Sequence, residues 1–502
     1  MKKIILVFIL FFPLFVLCQG RGDTWCFGDS VRMKFSGGNL IPDSFSSVFS
    51  IEENTSISNE AGDLLFYVAP NYFHSIGWPL TLTIWNKNNQ VMQNGDSLSG
   101  SGTETNGLII IPFVSDTNRY YVFSIDPGNF YEGLYCSVVD MSLNGGLGEV
   151  IIRDSMIMNC RLSEKLSAVK HANGTDWWLV VHKMVQSDST NVYYKLLIDS
   201  SGINFPDSQA IGTNYSLPGN FDRGLVGEMS FSNDGSRLAA VSFGMIDLFD
   251  FNRCTGELSN WTSLATSNPN YPNDTYYGTS FSPDATKFYI TSGSDGGAIG
   301  HVYQFDLNAG NIIASRMDLY TSPSPDIYLG QMELGSNGKI FIASGLGFFP
   351  IATDTLYNLN LSVINQPDSL GLGCDLQMFS VPIATGKSYA GLPNIPNYYL
   401  GSLEINCDSI NNIPEASNVF YSLTAIPNPT TGVVTLKFGG VEEREYTLQL
   451  SDLTGNILNT IKGTSVKGLN SVDIKLVNYS KGIYLIKINT SDHCEVIRIS
   501  LQ

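Results

Sequence analysis

The sequence is poor in the residues that most enzyme and metal sites use. Its 502 residues include only five histidines, and its eight cysteines form neither a CxxC pair nor a cluster with histidine. Zinc is therefore not expected, because zinc sites need closely spaced Cys and His ligands. The GxSxG, Walker, HExxH and dinucleotide-binding motifs are also absent. We predict no catalytic residue, no metal ligand and no cofactor.

Charged residues make up only 15% of the chain, and the formal net charge is −18. Residues 424–502 hold eight Lys/Arg and seven Asp/Glu, a net charge of +1, so residues 1–423 carry −19. An acidic body repels phosphate backbones, and nucleic acid is therefore not an expected partner. The charge does not choose between a protein and a glycan.

Long apolar runs are missing after the first residues, so no transmembrane segment is predicted. The exception is the start, where Lys2 and Lys3 precede an apolar run from Ile4 to Leu17. This pattern predicts a secretory signal peptide over residues 1–18, cleaved near Cys18–Gln19. A lipoprotein alternative would acylate Cys18, but it requires a small residue where Leu17 stands. Export permits disulfides, and the seven remaining cysteines leave at least one thiol free.

The body of the chain repeats a strand–turn–strand pattern with a spacing near fifty residues. Three units are centred on Phe231, Phe281 and Leu334, which are 50 and 53 residues apart. Each unit has a short strand, a Ser/Asn/Asp/Gly turn and further strands of aromatic and β-branched residues. In this pattern Asp234 and Asp284 occupy equivalent turn positions, which favours a structural role over calcium binding.

Six such units between about Thr55 and Asn360 predict an all-β fold, a β-propeller over residues 19–406. Two segments remain at the ends, one starting at Trp25 and one at Met378. Joining them would complete a seventh blade and remove unpaired sheet edges. Seven blades are predicted, with six or eight as alternatives.

A polar, turn-rich stretch over 407–423 is predicted to be a linker. After it, residues 424–502 show short alternating strands between Gly/Asn turns, which predict a small β-sandwich. This segment resembles the C-terminal sorting domain of type IX secretion substrates in Bacteroidetes. The residues that carry the resemblance occur in the family's order and are Pro427, Asn428, Pro429, Gly432, Leu453, Gly455, Lys481, Gly482, Ile483 and Tyr484.

The resemblance implies export across the outer membrane by the type IX secretion machinery, followed by release or attachment at the cell surface. The body is similar to secreted Bacteroidetes propellers of unknown role, on segments such as those from Val138, Ser163, Leu248 and Gly391. Its turns also resemble those of WD-like repeats. This likeness supports the fold and brings no catalytic residue with it.

Several smaller features admit two interpretations. His171 and His182 flank one hairpin turn and could face each other, but such a pair is more often structural. Arg21-Gly22-Asp23 forms an RGD tripeptide, which also arises by chance. Six Asp-Ser/Thr pairs resemble the O-glycosylation acceptor of exported Bacteroidetes proteins, or simply mark loops: Asp96-Ser97, Asp154-Ser155, Asp188-Ser189, Asp354-Thr355, Asp368-Ser369 and Asp408-Ser409.

The function predicted from these features is a secreted or cell-surface propeller that binds an extracellular protein or glycan. The alternative is a propeller lactonase, hydrolase or lyase with its site at the mouth of the central channel. A fold of this kind hosts both classes. An enzyme would bring carboxylates, His or Arg together at one end of the channel with shifted pKa values.

Overall fold

A computed structural model describes residues 20–70, 81–100, 102, 104–126, 133–184, 190–204, 206–215, 226–265, 275–293, 299–346, 354–404, 407, 420–440, 443–452, 457–466, 468–489 and 494–502. The predicted signal peptide, His74, His493, Leu453, Gly455 and most of the predicted linker lie outside these residues. The described chain is built from strands and four short 3₁₀ helices, which are Gly20–Gly22, Asn144–Gly146, Ile313–Ser315 and Gly371–Cys374. The predicted all-β class is confirmed.

The chain divides into two compact units, residues 1–405 and 406–502. The described part of the first unit contains seven sheets of antiparallel strands, and in six of them the strands pair in chain order. The first three sheets consist of β1 (Thr24–Phe27), β2 (Asp29–Ser36) and β3 (Asn39–Phe49); of β4 (Thr55–Ser58), β5 (Leu64–Pro70) and β6 (Leu82–Asn86); and of β7 (Leu108–Pro112), β8 (Arg119–Asp126), β9 (Gly133–Asp140) and β10 (Glu149–Met158).

The fourth sheet has five strands, and its last strand, β15 (Asp207–Tyr215), pairs with its third, β13 (Thr190–Asp199). Its strands are β11 (Leu162–Lys170), β12 (Trp177–Lys183), β13 (Thr190–Asp199), β14 (Gly202–Ile203) and β15 (Asp207–Tyr215). The last three sheets consist of β16 (Met229–Phe231), β17 (Arg237–Ser242), β18 (Met245–Phe251) and β19 (Leu258–Ser263); of β20 (Tyr276–Phe281), β21 (Lys287–Ser292), β22 (His301–Asp306) and β23 (Met317–Thr321); and of β24 (Ile327–Leu334), β25 (Ile340–Leu346), β26 (Asn360–Ile364) and β27 (Leu376–Pro382).

The repeat predicted from the sequence matches this sheet order. Phe231, Phe281 and Leu334 are the last residues of β16, β20 and β24, so each marks the first strand of a sheet. The turn aspartates have equivalent structural roles, as predicted. Asp234 Oδ1 accepts from the Ser236 backbone N–H at 3.0 Å, and Asp284 Oδ1 accepts from that of Thr286 at 2.9 Å.

Many strands are buried on both faces because each sheet packs between its neighbours. All eight residues of β9 are buried, whereas the outer strand β10 exposes Ile151, Ile152 and Met156. Apolar side chains of neighbouring sheets meet in shared clusters, as where Val241 and Ile246 pack with Phe288. Burial of each large apolar side chain stabilises the fold by about 1.5–3 kcal/mol.

The first strands of successive sheets pack side by side, β4 on β7, β7 on β11, β11 on β16, β16 on β20, and β20 on β24. The chain from Lys387 onward then returns to the start of the unit. Asp29 N donates to Lys387 O at 2.8 Å and Lys387 N to Asp29 O at 3.0 Å. Gln331 N donates to Ala390 O at 2.8 Å, and Ala390 N donates to Ile51 O at 2.9 Å.

Two details of the predicted closure need correction. Met378 lies in β27, the fourth strand of the last sheet, so the end segment begins nearer Lys387. The six units that start at Thr55 extend to Pro382 rather than to Asn360, because β26 and β27 complete the last sheet. Among the cysteines, Cys26, Cys136 and Cys374 carry free thiols, which agrees with the expectation of at least one, while Cys254 is disulfide-bonded.

The second unit contains two antiparallel sheets around one core. One sheet consists of β28 (Phe420–Ile426), β29 (Val433–Gly440) and β32 (Gly468–Lys475). The other consists of β30 (Arg444–Asp452), β31 (Ile457–Ser465), β33 (Gly482–Asn489) and β34 (Cys494–Leu501). The alternation of buried and exposed residues, clearest in β33, explains why the strand pattern was readable from the sequence.

Candidate functional site

We call the first strand of each sheet its inner strand. The starts of several inner strands meet in the interior of the first unit and bring polar residues together there. Thr105, just before β7, connects several of them. Glu164 Oε2 accepts from Thr105 N at 3.1 Å and from Thr105 Oγ1 at 2.9 Å. Gly227 N donates to Thr105 Oγ1 at 3.1 Å, and the Gln331 side-chain amide donates to Thr105 O. Segments that are far apart in sequence are thereby held at one place.

Three buried glutamates face one another at this junction. Glu53, Glu104 and Glu164 precede or begin the inner strands of the second, third and fourth sheets, and all are at most 8% exposed. Burial, and then the charge of Glu104, raises the pKa of Glu53 well above its usual range. Burial, helped by the charge of Glu164, raises the pKa of Glu104 to about 8. Burial therefore favours the protonated forms of Glu53 and Glu104, since a buried negative charge is costly.

A fourth glutamate, Glu52, joins these three in what we call the carboxyl cluster (Glu52, Glu53, Glu104 and Glu164), and Lys165 borders it. Glu52 Oε1 accepts a hydrogen bond from the Tyr277 hydroxyl at 2.6 Å, and burial raises its pKa to about 8. Lys165 Nζ donates to Val226 O at 3.0 Å. Burial lowers the pKa of Lys165 to about 7, although the charge of Glu164 opposes this shift.

A cavity of about 230 Å³ lies beyond the cluster, where the inner strands end. Glu228 and Glu333 line it, from the residue before β16 and from β24. Glu228 Oε2 accepts from the backbone N–H of Thr279 at 2.5 Å and of Met332 at 3.3 Å. Burial raises the pKa of Glu228 to about 8. Burial, followed by the charge of Glu228, raises that of Glu333 well above its usual range.

Residues 394–399, which we call the crossing segment, form one wall of this cavity. Asn394 Nδ2 donates to Leu166 O at 2.9 Å, and Asn397 Nδ2 donates to Asn233 O at 2.9 Å. Tyr398 donates its hydroxyl to Ile110 O at 3.0 Å. The segment therefore ties together the first strands of the third and fourth sheets and the turn after β16.

The histidines that the sequence offered do not enter this site. His182 is 1% exposed and pairs with Tyr193 of the next strand, and burial lowers its pKa to about 3. His171 lies after β11, where its Nε2 is 3.1 Å from Cys254 O. The expectation that these two could face each other is wrong, because the register places Leu162, not His171, opposite the end of β12.

The RGD tripeptide is part of the fold rather than an exposed loop. Arg21 lies in a 3₁₀ turn with its side chain only 16% exposed, and its Nη2 is 2.6 Å from Glu60 Oε1. Its Nε donates to the same oxygen at 2.7 Å.

Among the Asp-Ser/Thr pairs, Asp154 accepts from Ser99 N at 2.8 Å, and Asp368 from Asp284 N at 3.1 Å. Asp188-Ser189 and Asp408-Ser409 lie outside the described residues.

The residues of the predicted sorting motif occupy connections and strand starts of the second unit. Pro427, Asn428 and Pro429 lie between β28 and β29, where Asn428 Oδ1 accepts from Ser500 N at 2.9 Å. At Gly432 a Cβ would lie 2.7 Å from Cγ1 of the exposed Val477, so a larger residue would require that side chain to move. Lys481 precedes β33, which begins with Gly482, Ile483 and Tyr484, and the Tyr484 hydroxyl donates to Ser480 O at 2.6 Å.

None of the carboxyl groups of the site lies in a recognised sequence motif, so none was predicted as a site residue. A signal was nevertheless present in the repeat. Glu228 and Gln331 each stand three residues before the repeat markers Phe231 and Leu334. A polar residue that recurs at one position of an otherwise apolar inner strand points into a shared interior.

Within the described ranges, no group of three or more His, Cys, Asp or Glu side chains has an arrangement suited to a metal ion. No helix among the same residues is long and apolar enough to cross a membrane.

Comparison with solved structures finds distant likenesses over most of the chain. A Bacteroides fragilis protein provisionally assigned as a 6-phosphogluconolactonase is 12% identical, with 74% of this chain and 96% of that chain covered and a TM-score of 0.43. A periplasmic gluconolactonase of Pseudomonas aeruginosa is 12% identical, with 82% and 98% covered and a TM-score of 0.36. A Desulfotomaculum acetoxidans protein of unknown function is 13% identical, with 74% and 99% covered and a TM-score of 0.39.

No curated protein matches the chain. Residues 424–502 match the family model described as the secretion system C-terminal sorting domain. This match agrees with the resemblance that Pro427, Asn428, Pro429 and the later motif residues carry. The C-terminal segment of this chain is therefore similar to a sorting domain that supports export through the type IX secretion system to the cell surface or the extracellular space.

Proposed function

We propose that this protein is an exported β-propeller that binds a small, hydroxyl-rich molecule in the cavity beside Glu228 and Glu333. One observation carries the proposal, which is that two carboxyl groups with raised pKa values line the same cavity. A protonated carboxyl group both donates and accepts hydrogen bonds, as a sugar hydroxyl does. Since burial favours the neutral form of both groups, an uncharged polyol fits the cavity better than a cation.

The rest of the lining supports the same class of ligand. Asn106, Ser230 and Asn394 add polar groups to the cavity, and Phe231 and Tyr398 add aromatic surface. Small-molecule sites combine apolar walls with a few placed polar groups. The volume of about 230 Å³ favours one sugar unit over a long chain in this cavity.

The finer architecture is part of the proposal. We infer that the seven sheets are seven blades of one closed ring, since Lys387 and Ala390 hydrogen-bond to both ends of the unit. Closure would explain why polar residues at the first strands of several sheets meet in one interior. The proposed boundaries remain a signal peptide at 1–18, the propeller at 19–406, a linker at 407–423 and the sorting domain at 424–502, with Leu453, Gly455 and the other motif residues as the sorting motif.

Acid–base catalysis at the same cavity is a second candidate function. The specific observation is that the charge of Glu228 further raises the pKa of Glu333. Such coupling separates the titrations of the two carboxyl groups, so above about pH 8 an ionised Glu228 can act as a base while Glu333 stays protonated and acts as an acid. Hydrolysis or elimination on a bound saccharide is the chemistry that this pair would support.

Calorimetric titration of the exported protein with a panel of neutral monosaccharides and oligosaccharides tests the binding proposal. We expect at least one saccharide to bind, and we expect Ser230→Tyr to abolish binding because the new ring fills the cavity. Ser259→Tyr, on the outer strand β19, is the matched control and should bind normally. Glu228→Gln and Glu333→Gln should keep binding but abolish any turnover of the bound saccharide.

The results that contradict the proposal are distinct from these. Binding that Ser230→Tyr retains would place the ligand elsewhere, and no binding by a folded parent would refute the saccharide site. Turnover that persists in both glutamine variants would remove the carboxyl pair from the chemistry.

A further inference from the structure

A second cavity lies on the other side of the crossing segment. Its volume is about 440 Å³, and Tyr398 and Tyr399 line both cavities. The remaining walls come from four separate parts of the chain, the turn at Arg21, the turn at Glu60, the end of β7, and the hairpin between β11 and β12. This cavity is independent of the carboxyl pair proposed above.

We propose that this second cavity binds the carboxylate-bearing sugar unit of an acidic saccharide, with Lys170 as the group that receives the carboxylate. The chain as a whole is strongly acidic, so two cationic side chains in one cavity are notable. Arg21 and Lys170 are both half-buried there rather than extended into solvent.

Lys170 has hydrogen-bonding capacity left for a ligand. Its Nζ lies 4.2 Å from the centre of the Trp177 ring and donates to Thr175 O at 3.1 Å. An ammonium group has three donors, so further donors remain beyond that bond. Trp177 is 1% exposed and serves as the floor that holds the ammonium in place.

Arg21 differs because its charge is already paired. Its guanidinium contacts Glu60 Oε1 through Nε and Nη2, and the Tyr399 hydroxyl donates to Glu60 Oε2 at 3.0 Å. Arg21 therefore holds Glu60 and Tyr399 in place, and its positive charge lowers the pKa of Lys170. The Glu60 side chain is 60% exposed, so its carboxylate is open to accept hydrogen bonds from sugar hydroxyls.

The remaining walls suit a sugar ring. Phe113 and Tyr399 are partly exposed in the cavity and present aromatic surface beside the ammonium and the carboxylate. The apolar face of a sugar packs on such rings, while its hydroxyls need both donors and acceptors. A carboxylate on that sugar would complement Lys170, whereas a neutral sugar would leave the ammonium without a counter-charge.

The titration of Lys170 supplies a readout that a structural lysine would lack. Burial, followed by the charge of Arg21, lowers the pKa of Lys170 to about 8, and the charge of Asp176 opposes the shift. Burial raises the pKa values of Tyr398 and Tyr399, so both stay neutral. The charged or titratable groups that face Lys170 are thus Arg21, Glu60, Asp176, Tyr398 and Tyr399.

Calorimetric titration of the exported protein with D-glucuronate, D-glucose and inorganic phosphate tests this proposal. At pH 7 we expect glucuronate to bind at least about tenfold more tightly than glucose, because an ion pair with hydrogen bonds is lost in the neutral sugar. Between pH 7 and pH 9 the affinity of the parent should fall about tenfold as Lys170 loses its proton.

Four variants test whether Lys170 receives the carboxylate. Lys170→Gln should weaken glucuronate binding at least about tenfold, whereas Lys170→Arg should keep it and remove the loss between pH 7 and pH 9. Lys183→Gln is the matched control on β12 and should behave as the parent. Ser230→Tyr, which fills the first cavity at a residue that does not line the second, should bind glucuronate as the parent does, so failure of the proposed function would not affect this result.

Several results would overturn the proposal. These are equal binding of glucuronate and glucose, no binding of glucuronate, or parental affinity in Lys170→Gln. Phosphate that binds more tightly than glucuronate would show a general anion site rather than a saccharide site. An acidic peptide that displaces glucuronate with higher affinity would transfer the site to a protein partner.

Discussion

Glutamine in place of Glu228 should make the first unit more stable at pH 8 and leave it almost unchanged at pH 4.5. In the folded protein, burial raises the pKa of Glu228 from 4.5 to about 8. Between these values the unfolded chain ionises at this residue while the folded chain stays protonated. The stabilising contribution is therefore fully present below pH 4.5 and is lost as the pH rises towards 8.

The magnitude follows from the shift. One pKa unit corresponds to about 1.4 kcal/mol, so a shift of this size removes about 5 kcal/mol of stability by pH 8. The glutamine amide does not titrate, and its oxygen can still accept from the N–H groups of Thr279 and Met332. The parent and the variant should therefore diverge by up to about 5 kcal/mol between pH 4.5 and pH 8.

Urea unfolding followed by tryptophan fluorescence measures this difference. All six tryptophans lie between Trp25 and Trp261, so the signal reports the first unit and not the sorting module. Glu257→Gln, at an exposed position, is the control for the loss of one negative charge. Stability curves of parent and Glu228→Gln that stay parallel from pH 4.5 to pH 8 would refute the reasoning.

Three further predictions address other parts of the chain. Deletion of residues 424–502 should abolish secretion in a type IX-competent host, as cell fractionation would show, and normal secretion would contradict the sorting assignment. Trp25→Ala should destabilise the first unit by about 3–5 kcal/mol. Trp25 is 1% exposed, and its ring centre lies 5.3 Å from that of Phe35 and 5.5 Å from that of Phe341. An unchanged melting temperature would show that the N-terminal strand contributes nothing to the core. Gly107→Ala should destabilise the first unit by about 1–3 kcal/mol in urea unfolding, since its Cβ would lie 2.2 Å from Glu53 Oε1. The control is Gly310→Ala, whose Cβ would meet nothing within 4 Å. Equal stability of the two variants would contradict the packing at the carboxyl cluster.

Local patterns in the sequence predicted most strands, the turns and the two-part organisation. Strand periodicity and turn chemistry depend on neighbouring residues, so the repeat markers Phe231, Phe281 and Leu334 could be placed without coordinates. The same holds for the role of Asp234, whose partners lie within two residues. The sorting motif was readable because its residues occur in a fixed order along one short segment.

The candidate sites depended on tertiary structure. Glu53, Glu104 and Glu164 precede or begin strands of three different sheets, and nothing in their local sequence shows that their carboxyl groups meet. Lys170 and Arg21 are likewise separated by 149 positions in the sequence but line one cavity. The sequence by itself determined the strands, because hydrophobic alternation acts within a few residues. Only the stacking of the sheets decided which strand starts converge, and that convergence buries the carboxyl groups and raises their pKa values.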